Sequence, residues 1–170
     1  MTDKLKETTL HPIPSARPST GNPVARSHSV WRGDLVFESG VGERTHTIDG
    51  NSKIAPSPVE TLLNSVGACA ASDVVDILAK QRTPAKRMEV DVLATRRADY
   101  PRRVLTLEVT FTIDGANIDP AQAERAIALS IEKYCTVAAS LAGDIEFTSI
   151  LVLNGKQGEP VNQPMFTRPI

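Results

Sequence analysis

Two stretches of the chain alternate apolar and polar residues with a period of two. Met88, Val90, Val92 and Ala94 alternate with Glu89, Asp91 and Thr95. Further on, Leu105, Leu107, Val109, Phe111 and Ile113 alternate with Thr106, Glu108, Thr110 and Thr112. This periodicity predicts strands with one buried and one wet face. The short link Ala98-Asp99-Tyr100-Pro101-Arg102 predicts that the two form an antiparallel hairpin. Upstream, residues 29–38 and 43–49 flank a Ser39-Gly40-Val41-Gly42 turn and predict a first hairpin. A last strand is expected over about 145–153.

Two other segments carry the helical period. In the first, Ser57 is a natural N-cap, Pro58 fits the first turn, and Glu60 completes a capping box. Val59, Leu62, Leu63, Val66, Ala70, Val74, Ile77 and Leu78 then form a broad apolar stripe. Lys80 and Arg82 suit the negative end of the helix dipole, and Pro84 prevents continuation. The second begins at Asp119 and Pro120, with Gln122 three residues after the cap, and is expected to run to Gly143. Its stripe is Ile127, Ile131, Tyr134, Ala138 and Leu141. Small residues at mid-length (Gly67, Ala68, Ala70 and Ala71 in one, Ala138 and Ala139 in the other) predict a close pair of long helices. The fold class is α+β.

Residues 1–27 hold Pro12, Pro14, Pro18 and Pro23 among small polar residues and read as an extended or disordered arm. Residues 154–170, with Gly155, Gly158, Pro160, Pro164 and Pro169, read as a tail. That leaves one domain over 28–153, a size that can enclose a sizeable core. A net charge of −1 and a pI of 6.3 give no reason to expect nucleic acid as a partner. No run of the sequence approaches the ~18–20 apolar residues of a membrane span, and no secretory leader is visible, so the cytosol is the expected compartment and no membrane partner is expected.

The chain has 2 cysteines, Cys69 and Cys135, each midway along one of the predicted helices. In a reducing compartment such a pair is more often reduced, metal-bound or catalytic than a permanent staple. No metal is expected, because there is no Cys-x-x-Cys and His11, His28 and His46 show no ligand spacing to either cysteine. Inert buried thiols are the plain structural alternative.

Two motifs carry a resemblance. Ser57-Pro58-Val59-Glu60-Thr61-Leu62-Leu63-Asn64-Ser65-Val66-Gly67-Ala68-Cys69, followed by Asp73-Val74-Val75-Asp76-Ile77-Leu78, resembles the OsmC/Ohr family. So does Glu132-Lys133-Tyr134-Cys135-Thr136-Val137-Ala138-Ala139-Ser140-Leu141. The likeness covers roughly 28–153 and is nearest to the OsmC-like branch. It implies an intertwined homodimer with the two long helices central, packed on antiparallel sheets, and sites at the subunit interface. It implies reduction of an organic hydroperoxide by thiols, with Cys69 peroxidatic and Cys135 resolving. No bound cofactor is expected; an external dithiol would restore the pair. The family's carboxylate, ten residues before the first cysteine, falls on Val59, so Glu60 is the neighbouring candidate, rotated about 100° around the helix. Arg32 is the candidate activating cation, with Arg26 and Arg44 as rivals. Asp73, one turn after Cys69, would face the same side and, if ionised, raise the thiol pKa. The alternative function is a weakly active or non-enzymatic member that binds a small apolar metabolite or senses thiol redox state.

Overall fold

The computed structural model describes residues 24–164. Most of the arm expected over 1–27, and the end of the C-terminal tail, lie outside the described residues. Contacts divide the chain into two compact units that meet between Thr47 and Ile48.

The first unit holds β1 (His28–Gly33), β2 (Val36–Val41) and the first four residues of β3 (Arg44–Asp49), in the order β1-β2-β3. The single hairpin expected here is a three-stranded meander. The extra turn is at Asp34-Leu35, where Gly33 at φ 112° and Asp34 at φ 47° reverse the chain. Glycine and aspartate tolerate that left-handed region, and a Gly-Asp step inside a strand-like run is the signal for it.

The second unit begins with α1 (Pro58–Lys80) and continues through β4 (Arg87–Arg96), β5 (Val104–Asp114) and α2 (Pro120–Leu129). A π-helical turn (Ser130–Tyr134), α3 (Thr136–Ala139) and β6 (Glu146–Leu153) follow. β7 (Lys156–Gln157) and β8 (Val161–Gln163) complete it. The sheet runs β4-β5-β6-β7, with β8 also paired to β6.

β4 and β5 form the expected antiparallel hairpin, in register from Arg87↔Asp114 to Thr95↔Thr106, with a shift before Arg96↔Val104. β5 and β6 pair in parallel, Thr106↔Glu146 to Ile113↔Leu153, so the sheet is mixed and not antiparallel throughout. The connection explains this: a helical crossover between two neighbouring strands brings the second back in the same direction. The early part of the predicted tail also differs, because β7 and β8 add to β6 and bury Gln163, whose amide donates to Ser149 Oγ at 2.8 Å.

The core lies between this sheet and the helices. Leu107, Val109, Phe111 and Ile113 fill it from alternate positions of β5; Val66, Ala70, Val74 and Leu78 enter from one stripe of α1. α1 starts as expected: Ser57 Oγ accepts from Glu60 N–H at 3.3 Å, and the Glu60 carboxylate accepts from Ser57 N–H at 2.7 Å. Gly67 lets α1 settle on β4, since a Cβ there would lie 2.9 Å from Val92 Cγ2.

α1 is long and apolar enough to cross a membrane by length and composition. In this fold it packs instead on β4 and α2. The second long helix is absent. α2 covers 10 residues, the π-helical turn follows, and Cys135 leaves helical geometry at φ −66°, ψ 95° before the four-residue α3.

Candidate active site

The break at Cys135 builds the site. Cys135 N–H donates to Ser130 O at 2.8 Å, five residues back, which widens the turn by one residue. The stripe therefore slips: Ile127 and Ile131 remain buried, Tyr134 is 47% exposed, and Cys135 takes the fully buried place expected for Tyr134. The chain restarts at Thr136 with Cys135 as N-cap, its sulfur accepting from Ala138 N–H at 3.4 Å. A thiol here does what a serine hydroxyl usually does at a helix start.

Cys69, half-buried on α1, faces it. Cys69 Sγ, Cys135 Sγ and a carboxylate oxygen of Asp73 all lie within 4.8 Å of one another. Both cysteines are free thiols, and small rotations bring sulfurs at such a distance into bonding geometry. This is the proximity expected of the pair. Three donors are one fewer than a closed structural zinc site uses.

Ser130, which the sequence did not single out, is fully buried; its Oγ is 3.0 Å from Asp73 Oδ2 and 3.2 Å from Ala70 O. The Cys135 thiol is pushed up to about 12, chiefly by burial. The N–H of Ala138 opposes that rise, while Cys69 and Asp73 add to it.

Glu60 sits in the helix cap, where its carboxylate also accepts from Ser57 Oγ at 2.7 Å and Ser52 Oγ at 2.9 Å. Those bonds hold its carboxyl below the usual range, the Ser57 N–H contributing most. Nine residues at about 100° each put it on the side of α1 opposite Cys69, so along this helix it does not reach the thiol. Arg32 belongs to the first unit. Its Nη2 donates to Glu38 Oε2 at 2.6 Å, and Thr45 Oγ1 donates to Glu38 Oε1 at 3.0 Å. Glu38, held below its ordinary pKa by this arginine and threonine, is a partner the sequence reading did not name.

A groove of about 240 Å³ runs along the N-terminal half of α1, walled by Val59, Leu62, Leu63, Val66, Leu107, Leu141 and Ile145, with Arg102 and Arg103 at its edge. Val66 is one turn before Cys69. The position where a carboxylate was sought, Val59, is thus part of an apolar wall.

The family model for OsmC-like protein matches residues 49–149, which contain both cysteines, Asp73 and Ser130. The chain belongs to the OsmC-like protein family. Escherichia coli (strain K12) protein YhfA is 39% identical over 121 residues, covering 69% of this OsmC-like chain and 90% of that protein. The crystal structure of an OsmC-like protein from Mycoplasma pneumoniae superposes with a TM-score of 0.68 at 11% identity, covering 78% of this chain and 98% of that one. A Legionella pneumophila structure described as an organic hydroperoxide resistance protein OsmC gives a TM-score of 0.57 at 12% identity, covering 76% and 98%. At such identities these two likenesses establish the OsmC-like fold.

Proposed function

We propose that this OsmC-like protein is a thiol-dependent peroxidase that reduces organic hydroperoxides. The observation that carries the reading is the approach of the only two thiols to within 4.8 Å, from segments far apart in sequence. Cys69, the more accessible sulfur, attacks the distal peroxide oxygen; an alcohol leaves and a sulfenic acid remains. Cys135, buried behind it, condenses with that sulfenic acid to a disulfide, which an external dithiol of the cytosol reduces. No bound cofactor takes part. The apolar groove along α1 favours a hydroperoxide with an apolar body over strongly hydrated hydrogen peroxide. Arg32, oriented by Glu38, is the proposed activating cation, and the working form is a homodimer.

A second reading has one observation in its favour: Val59 lines the groove where a catalytic carboxylate was sought. In that reading the groove holds a small apolar metabolite and the thiols act as a sensor. Catalytic turnover separates the two, since a sensor is oxidised once and does not consume peroxide in the presence of excess dithiothreitol.

The roles are tested by a pulse of cumene hydroperoxide followed by mass spectrometry. Cys69→Ser should abolish peroxide consumption. Cys135→Ser should react once, gain oxygen on Cys69 and then stall. Oxygen found on Cys135 in the Cys69→Ser protein, with peroxide still consumed, would reverse the assignment.

A further inference from the structure

Asp73 and Ser130 are not used by a mechanism that needs two sulfurs alone. One turn after Cys69, Asp73 puts a carboxylate oxygen within 4.8 Å of both sulfurs. Ser130 is buried across from it, with its hydroxyl placed between Asp73 Oδ2 and Ala70 O. The carbonyl of the same serine accepts the Cys135 N–H at 2.8 Å. One residue therefore holds both the carboxylate and the backbone that presents the resolving thiol.

The resolving step is where a proton acceptor matters. The attacking species in disulfide formation is the thiolate, and burial has pushed the Cys135 thiol up to about 12. Among the described residues, the titratable groups that act on it are Cys69 and Asp73. At neutral pH a thiol raised this far is almost wholly protonated. A carboxylate oxygen within 4.8 Å, a gap that a small side-chain rotation or one bridging water closes, lets the proton leave as the sulfur–sulfur bond forms.

We propose that Asp73, positioned by Ser130, accepts the Cys135 proton during disulfide formation. The proposal rests on the peroxidase reading above. Cys135 Sγ attacks the sulfur of the Cys69 sulfenic acid, the S–S bond forms, and the S–O bond breaks with its electron pair leaving on hydroxide. The Cys135 proton passes to the Asp73 carboxylate and from there to the hydroxide, which departs as water. Cys69 goes from sulfenic acid to disulfide, Cys135 is oxidised to the same level, and the carboxylate is restored.

The test follows disulfide formation in the reduced full-length protein after one equivalent of cumene hydroperoxide, over about pH 6 to 8. The wild-type resolving rate should be nearly independent of pH. A rate that rises about tenfold per pH unit would mean that free thiolate reacts unaided, and would overturn the proposal. Asp73→Asn keeps an acceptor for Ser130. It should slow resolution at least about tenfold at neutral pH, restore the steep pH dependence and let the Cys69 sulfenic acid accumulate. An unchanged or faster rate in Asp73→Asn also overturns it, because a carboxylate acting only through its charge hinders the thiolate, and its loss would speed resolution. If that variant does not fold, the wild-type profile decides. Failure of Cys69 to take up oxygen at every pH removes the peroxidase reading, and this proposal with it.

Discussion

Asp49 is 2% exposed, and its carboxylate accepts N–H groups from Asn51 at 2.8 Å, Lys53 at 2.9 Å and Ile54 at 3.1 Å. These bonds fold residues 50–56 into the approach to α1 and keep the Asp49 carboxyl below the usual range, the Asn51 N–H contributing most. A group whose pKa is lower in the folded than in the unfolded chain stabilises the fold above the unfolded value. That contribution is lost as pH falls through the folded value. Asp49→Asn should therefore be less stable than wild type at pH 7, and the gap should close below about pH 4 as wild-type Asp49 protonates. Urea denaturation at both pH values measures it; an equal gap at both would mean that the charge plays no part. At this scale the cysteines were legible because thiols are scarce and chemically distinct, and Asp73 because a spacing of four places it on the Cys69 side. Ser130 and Glu38 were not, since each acts through a partner on another element and a serine or glutamate by itself carries no such signal.

Between elements, α1 approaches β4 closely at Gly67. A methyl group there meets Val92 Cγ2 at 2.9 Å and Val90 Cγ1 at 3.2 Å. Overpacking of this kind costs about 1–3 kcal/mol, while alanine gains back about 1 kcal/mol over glycine in a helix. Gly67→Ala is expected to lose about 1 kcal/mol net, read as a lower urea midpoint at unchanged slope. A gain in stability would show that the valines move aside freely. The start of α1 was readable from Ser57, Pro58 and Glu60, because capping is local chemistry. The break in the second helix was not, because the stripe from Ile127 to Leu141 suits a continuous helix equally well. What interrupts it is one residue's worth of slippage, set by burial of Cys135 against α1 and by its sulfur acting as a cap. The parallel pairing of β5 with β6 was implicit in a helix lying between two strands, whereas β7 and β8 are too short to show a period among the surrounding Gly and Pro.

For the molecule as a whole, α1 poses a question of coverage. Only 33% of its most apolar window is buried within one chain, and Leu62 at 38% and Val75 at 41% exposure stand out from it. The groove beside Leu62 is walled by aliphatic side chains and open to solvent. A helix with this much apolar surface outside the core calls for a second covering surface, and a second copy would supply one by two-fold pairing of the same patch. A stable pairing hides about 800 Å² on each partner, which requires more than the two exposed residues and fits a patch that includes the groove. Sedimentation equilibrium at micromolar concentration should give a dimer. Leu62→Glu, which places a charge at the groove without touching the buried stripe of Val66, Ala70, Val74 and Leu78, should shift the protein towards monomer by at least about tenfold in Kd. It should retain native circular dichroism, and the monomer should lose affinity for apolar hydroperoxides if the second copy closes the groove. A wild-type protein that stays monomeric at those concentrations would leave the site to a single chain and end the case for a shared one.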